Sequence, residues 1–244
     1  MNKTDVKKSI FAFILCFLSC RIFAQASLQK DLSLAYLISQ PRVKTVKPKL
    51  IILLHGYGSN EADLFELKNI LPADFLIISA RAPFTIAPNA FQWYGNEIVK
   101  GIKQESTKDL KTSTDLIKVF INEVVKKYNA DPSQVFLAGF SQGAMMSYEV
   151  GLTAPELLRG IAPLSGRIFD SLKPRIKPAN AFNNFKIFIG HGTADDRVPY
   201  TSATEAVFYL KKKKINATLH SYQSLPHSIS EQELKDLVAW LNEK

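Results

Sequence analysis

The sequence predicts an α/β fold: a single doubly wound, mostly parallel sheet with helices on both faces. Two observations lead there. Short apolar runs without alternation recur along the chain, at Lys49–Leu54, Phe75–Ser79, Val135–Ala138 and Lys186–Ile189. Strands buried on both faces read this way, and such strands belong to parallel sheets covered by helices. Between the runs, apolar residues recur at helical spacing, and strand alternating with helix builds one covered sheet. A chain of 244 residues with 46% apolar and 22% charged residues has ample material for one such core.

Taken in order, the chain starts with an export signal over residues 1–26. Lys3, Lys7 and Lys8 form a basic start, Ile10–Leu18 is an unbroken apolar run, and Ala24-Gln25-Ala26 is a small-x-small cleavage site. The run is too short to span a bilayer as a helix, so no transmembrane span is expected once the signal is cleaved. Lipid attachment at Cys20, after the small Ser19, is the alternative processing route. A single α/β domain is then expected over residues 27–244, exported to the periplasm or beyond.

Leu34–Ser39 is the first strand candidate and Lys49–Leu54 the second. Asn60 with Asp63 can cap a helix carrying Leu64 and Leu67. After the strand at Phe75–Ser79, Ile117, Phe120, Ile121, Val124, Val125 and Tyr128 share one helix face, which Asp131-Pro132 should end. Val135–Phe140 reads as a strand, and Gln142 onward, with Ala144, Met145, Met146 and Tyr148, as a helix. Arg167–Asn184, rich in Pro and Lys, is the longest loop candidate; it is either a mobile surface loop or an overhang whose Lys173, Arg175 and Lys177 favour an acidic substrate. Lys186–Ile189 and Ala217–Gln223 supply two more strands, and Leu234, Leu237, Val238 and Leu241, with Trp240 beside them, the last helix.

Charge and cysteine content exclude several classes. Loss of residues 1–26 takes four bases (Lys3, Lys7, Lys8, Arg21) and one acid (Asp5), lowering the formal charge from +9 to +6. No basic stripe interleaved with aromatics accompanies that excess, so nucleic acid is not an expected partner. The dense run Lys211–Lys214 falls at a helix end, where cations meet the negative end of the dipole. Both cysteines, Cys16 and Cys20, leave with the signal, and the mature chain relies on its core without disulfides.

The chemistry centres on Gly139-Phe-Ser141-Gln-Gly143, a G-x-S-x-G stretch at a strand-to-helix corner. In an α/β-hydrolase that corner lifts a serine hydroxyl clear of the sheet. A serine needs a base, and the base an orienting carboxylate, in chain order Ser, acid, His. Of the four histidines, His55 precedes the serine, His191 precedes the best acids, and His220 sits inside a strand, which leaves His227. The acid lies in "HGTADDRVP", where Asp195 and Asp196 are both candidates. Oxyanion donors are expected from the N–H of Gln142, after the nucleophile, and of Tyr57 in "HGYG".

The stretches "LLHGYGSNEADL", "RAPF" with "QWYG", "GFSQGAMMS", "HGTADDRVP" and "LPHSIS" together resemble the carboxylesterase/phospholipase branch of the α/β-hydrolases, which includes bacterial carboxylesterases and acyl-protein thioesterases. The resemblance runs from about residue 50 to 230. It implies Ser141 as nucleophile, His227 as base and Asp195 as the acid, with oxyanion donors at Tyr57 and Gln142. It also implies no metal, no cofactor and no large lid, and places Trp93 and Tyr94 beside the acyl or leaving-group pocket, where a tryptophan packing the sheet is the other reading. Pro226 stands where the family commonly has Gly.

The resulting expectation is a serine carboxylic-ester hydrolase acting through an acyl-enzyme. Export favours short-chain esters or feruloyl and acetyl sugar esters, with a lysophospholipase or acyl thioesterase as the alternative. A serine peptidase and a non-catalytic glycan- or lipid-binding protein are the remaining classes; the first lacks the accompanying domain, and the second would have lost one of the three residues.

Overall fold

A computed structural model describes residues 27–243; the expected export signal, with Cys16 and Cys20, lies outside the described residues. Strands run as β1 (Tyr36–Ser39), β2 (Lys49–Leu54), β3 (Phe75–Ala80), β4 (Phe84–Ala87), β5 (Ala90–Gln92), β6 (Asn96–Val99), β7 (Ile102–Glu105), β8 (Val135–Phe140), β9 (Gly160–Leu164), β10 (Lys186–Gly192) and β11 (Thr218–Tyr222). The helices are α1 (Thr107–Tyr128), α2 (Gln142–Thr153), α3 (Thr201–Lys212) and α4 (Glu231–Asn242).

Seven strands form the central sheet in the order β1-β3-β2-β8-β9-β10-β11. β1 is antiparallel to β3, and every other neighbouring pair is parallel. From β2 the chain turns one way to β3, which inserts between β2 and β1, and then runs the other way from β8 to β11. That reversal opens a crevice above the carboxyl ends of the strands. Leu54 lies opposite Gly139 in register, so the loops after β2 and β8 leave the sheet side by side.

Both faces of the sheet are covered, which is why the strands show no alternation in the sequence. Leu50, Ile52 and Leu54 pack with residues of α1, α2 and α3, among them Phe120, Met146 and Leu210. Ile51 and Leu53 face the other way, against Leu237 and Trp240 of α4. Each fully buried side chain of this kind stabilises the fold by roughly 1.5–3 kcal/mol. Among the described residues, no helix is long and apolar enough to cross a membrane.

Three local expectations need correction. The helix after Asn60 and Asp63 is a short 3-10 turn over Leu64–Asn69 without a side-chain cap. The Asp63 carboxylate instead accepts from the Ser59 hydroxyl at 2.8 Å, and Asn60 accepts from the N–H of Ala62 at 3.0 Å. α1 stops before Asp131-Pro132, because Asn129 turns left-handed (φ 51°) and its N–H returns to Val125. Arg167–Asn184 is irregular but anchored: Leu172 is buried, and one guanidinium nitrogen of Arg175 donates to both oxygens of buried Glu149 at 2.9 and 2.8 Å. Lys173 pairs with Asp170. Two of the three cations expected to draw an acidic substrate are therefore held by carboxylates of the protein itself.

Sequence patterning also misses β9 and the hairpins β4–β5 and β6–β7. β9 contains Pro163, which lacks the N–H of a ladder residue and so argues against a central strand. Here Pro163 pairs opposite Gly139, where its ring meets no side chain from the facing residue.

Candidate functional site

Ser141 heads α2 with φ 53° and ψ −115°, a conformation that residues bearing a Cβ rarely adopt. The two glycines explain how the corner closes. A Cβ on Gly139 would collide with the carbonyl of Gly143, and one on Gly143 with the carbonyl of Leu54 in β2. β8 and the first turn of α2 thus touch backbone to backbone, and the α2 start sits on β2. The Ser141 N–H is anchored to the carbonyl of Leu164 in β9 at 3.0 Å.

The candidate base comes from the loop after β11. His227 Nε2 lies 2.9 Å from Ser141 Oγ, and His227 Nδ1 lies 2.8 Å from Asp195 Oδ2. Pro226 does not disturb this. The Ser228 N–H donates to the Pro226 carbonyl at 2.7 Å, a tight turn centred on His227 that uses the proline's oxygen and not its missing N–H. Phe140 packs its ring against the imidazole, with centroids 4.8 Å apart.

Of the two acids, the structure brings only Asp195 to the histidine. Its carboxylate is buried, and Oδ1 accepts from the N–H groups of Arg197 (3.0 Å) and Val198 (2.8 Å). Burial by itself would raise its pKa; the bonds from His227, Val198 and Arg197 outweigh that and hold it below the ordinary carboxylate value. Asp196, the next residue, is exposed. His191, absent from the expected set, steadies the turn: its Nε2–H donates to the Val198 carbonyl at 2.8 Å and lies 3.4 Å from Asp195 Oδ2. Burial lowers the pKa of His191, so it stays neutral.

Two backbone donors face the same corner. An added Cβ on Gly56 would lie 3.5 Å from the Ser141 Cβ, which puts the Gly56–Tyr57 peptide beside the serine. Among the described residues, neither the Tyr57 N–H nor the Gln142 N–H has a protein acceptor, while their neighbours do: Gly58 N–H donates to Phe91 O and Ala144 N–H to Ser141 O. Unpaired N–H groups beside a serine hydroxyl are what a developing oxyanion needs. The Tyr57 ring itself is 64% exposed.

Trp93, which the sequence left as either a pocket wall or a residue packing the sheet, is completely buried, with its indole N–H on the His55 carbonyl at 2.9 Å. It has no free surface for a ligand, and the sheet-packing alternative is the correct one. Tyr94 is buried too, its ring edge-on to Phe169 at 5.6 Å. The Gln142 side chain, which no pattern in the sequence singles out, clamps the connection between β5 and β6: Oε1 accepts from the Trp93 N–H (2.7 Å) and Nε2 donates to the Tyr94 carbonyl (2.8 Å). No group of three or more His, Cys, Asp or Glu residues is arranged to hold a metal ion among the described residues.

Comparison with known proteins identifies the family of the chain. The Phospholipase/Carboxylesterase family profile matches residues 37–244. The acyl-protein thioesterase 1 of Mycosarcoma maydis is 27% identical over 229 residues, covering 84% of this chain and 95% of that protein. The crystal structure of esterase PE8 superimposes with a TM-score of 0.70 at 27% identity, over 84% of this chain and 95% of that one. The fold is shared with the carboxylesterase from Mesorhizobium loti, at TM-score 0.74 and 21% identity over 90% of this chain and 99% of that one. The chain belongs to the phospholipase/carboxylesterase family of esterase and thioesterase hydrolases.

Proposed function

We propose that the protein is a serine carboxylic-ester hydrolase working through an acyl-enzyme. Ser141 Oγ attacks the acyl carbon while His227 Nε2 takes its proton, and Asp195 holds the imidazole in the tautomer that can accept it. The N–H groups of Tyr57 and Gln142 stabilise the tetrahedral oxyanion, each lowering the barrier by about 3 kcal/mol. His227 returns the proton to the leaving alcohol. Water, deprotonated by the same imidazole, then releases the acid and restores the serine. The observation that carries this reading is the continuous relay from Ser141 Oγ to His227 (2.9 Å) to Asp195 (2.8 Å).

The substrate is a neutral ester met outside the cytoplasm: a short-chain ester, or an acetyl or feruloyl ester on a glycan. The export signal expected from the sequence of residues 1–26 is the support for that location. A second reading, acyl thioesterase or lysophospholipase, is favoured by similarity to a protein named acyl-protein thioesterase 1. A panel of p-nitrophenyl esters from acetate to palmitate, with methyl ferulate, lysophosphatidylcholine and a palmitoyl thioester, separates the two. Ser141→Ala should abolish turnover of whichever substrate is preferred, and stopped reactions of the wild type should carry an acyl group on the Ser141 peptide. Full turnover by Ser141→Ala would overturn the proposal. N-terminal sequencing of the secreted product tests export and should begin at Ser27.

A further inference from the structure

We infer that Trp93 is the positioning residue that locks the two oxyanion donors into one rigid frame; the inference rests on the serine-hydrolase reading above. Trp93 reaches both donor loops at once. Its indole N–H donates to the His55 carbonyl at 2.9 Å, and its backbone N–H to Gln142 Oε1 at 2.7 Å. Its own carbonyl accepts from the Ser113 hydroxyl of α1 at 2.5 Å, so the strut is braced against a helix.

Peptide planarity carries the effect to the reacting atoms. A trans peptide fixes its N–H opposite its C=O, so holding a carbonyl aims the N–H of the next residue. Trp93 holds the His55–Gly56 peptide through its carbonyl. The following peptide, Gly56–Tyr57, is held by the His55 ring: Nε2 accepts from the Ala82 N–H at 3.1 Å, so the proton sits on Nδ1, which donates to the Gly56 carbonyl at 2.8 Å. Two consecutive planes are thereby fixed, and the second ends in the Tyr57 N–H. Burial lowers the His55 pKa, which keeps the ring neutral and this tautomer in place. On the other side, the Gln142 carboxamide ties the first residue of α2 to Trp93 and Tyr94. The Ser141–Gln142 peptide is held in turn by Ala144 and Met145, whose N–H groups donate to its carbonyl. Neither donor can swing without breaking a hydrogen bond to Trp93 or to its immediate partners. A displacement of about 1 Å in such a group can reduce rate ~100-fold.

The test is Trp93→Phe, which keeps an aromatic ring and removes the indole N–H, with Ser113→Ala as a milder perturbation of the same strut. kcat and KM on p-nitrophenyl butyrate are measured beside Tm. Phe120→Leu, a core cavity packed against Tyr36 and remote from the site, controls for destabilisation. For Trp93→Phe the expectation is a kcat lower by about 10- to 100-fold with KM within about twofold. Ser113→Ala should fall in the same direction by less, and Phe120→Leu should hold its kcat below its Tm. Trp93→Phe with kcat near wild type, or with raised KM and unchanged kcat, would overturn the inference. Should Trp93→Phe not fold, Ser113→Ala decides, and an unchanged kcat there overturns it equally. Ser141→Ala in the same assay reports on the hydrolase reading alone: an inactive Ser141→Ala beside a fully active Trp93→Phe removes the strut and leaves the nucleophile.

Discussion

Asp195→Asn changes one atom's chemistry and almost none of its volume, and the surrounding bonds dictate the consequence. The carboxylate has two distinct sides. Oδ1 accepts two backbone N–H groups, from Arg197 and Val198, and Oδ2 faces His227 Nδ1 at 2.8 Å with His191 Nε2 at 3.4 Å. An amide can satisfy only one side. With its oxygen kept on the backbone pair, its NH2 points at two histidine donors, and His227 must move its proton to Nε2, the atom that has to accept from Ser141. Flipped, the NH2 confronts Arg197 and Val198, leaving buried donors unpaired at about 1–3 kcal/mol each. The first arrangement costs less, so the protein should fold and be nearly inactive. The same change in a Ser-His-Asp triad lowers kcat about 10⁴-fold, or about 5 kcal/mol of barrier. Rates on p-nitrophenyl butyrate with purified Asp195→Asn and Asp196→Asn should separate by that order, exposed Asp196 being silent. An Asp195→Asn protein that retained a tenth of wild-type kcat would refute the relay as described.

Three further outcomes are expected. Ser141→Gly should be more stable than Ser141→Ala by about 1 kcal/mol, because both lack the hydroxyl and only glycine relaxes at φ 53°; scanning calorimetry would show a Tm about 2–4 °C higher. Glu233 is buried at the start of α4, and burial pushes its pKa up from 4.5 to about 7, with repulsion from Asp236 adding to this and the Ser230 N–H opposing it. Protonation therefore favours the folded state: the stabilisation is complete below pH 4.5 and lost as pH rises through about 7. Glu233→Gln, which keeps an acceptor for the Ser230 N–H, should gain about 3 kcal/mol on wild type between pH 5 and 8, and parallel Tm curves would refute this. Arg175→Ala strands the Glu149 carboxylate, whose pKa burial already raises, and should cost about 3 kcal/mol, largely recovered by Glu149→Gln in the same chain.

The sheet and the corner were legible in the sequence because both are local. Apolar runs without alternation announce strands buried on two faces, and Gly139 and Gly143 announce a turn too tight for side chains. The helical stripe reaches Tyr128, the last residue of α1, but its stop was assigned to Asp131-Pro132 because a left-handed Asn129 carries a weaker signal than a proline. β9 was missed because Pro163 reads as a breaker wherever neighbouring strands are unknown.

Assembling the site was a different matter. Ser141 and His227 stand 86 residues apart, and Asp195 and His227 are separated by 32. Residue order narrowed the acid to Asp195 or Asp196, and only the turn after β10, closed by Arg197 and Val198, turns one inward and leaves the other in water. Trp93 shows the same division. Its identity is plain in the sequence, but whether an indole faces a ligand or a carbonyl depends on which peptide the folded chain sets against its N–H. Periodicity and turn chemistry act over a few residues and therefore belong to the sequence. Pairing of distant polar atoms depends on strand order and register, which come into being only when the sheet closes.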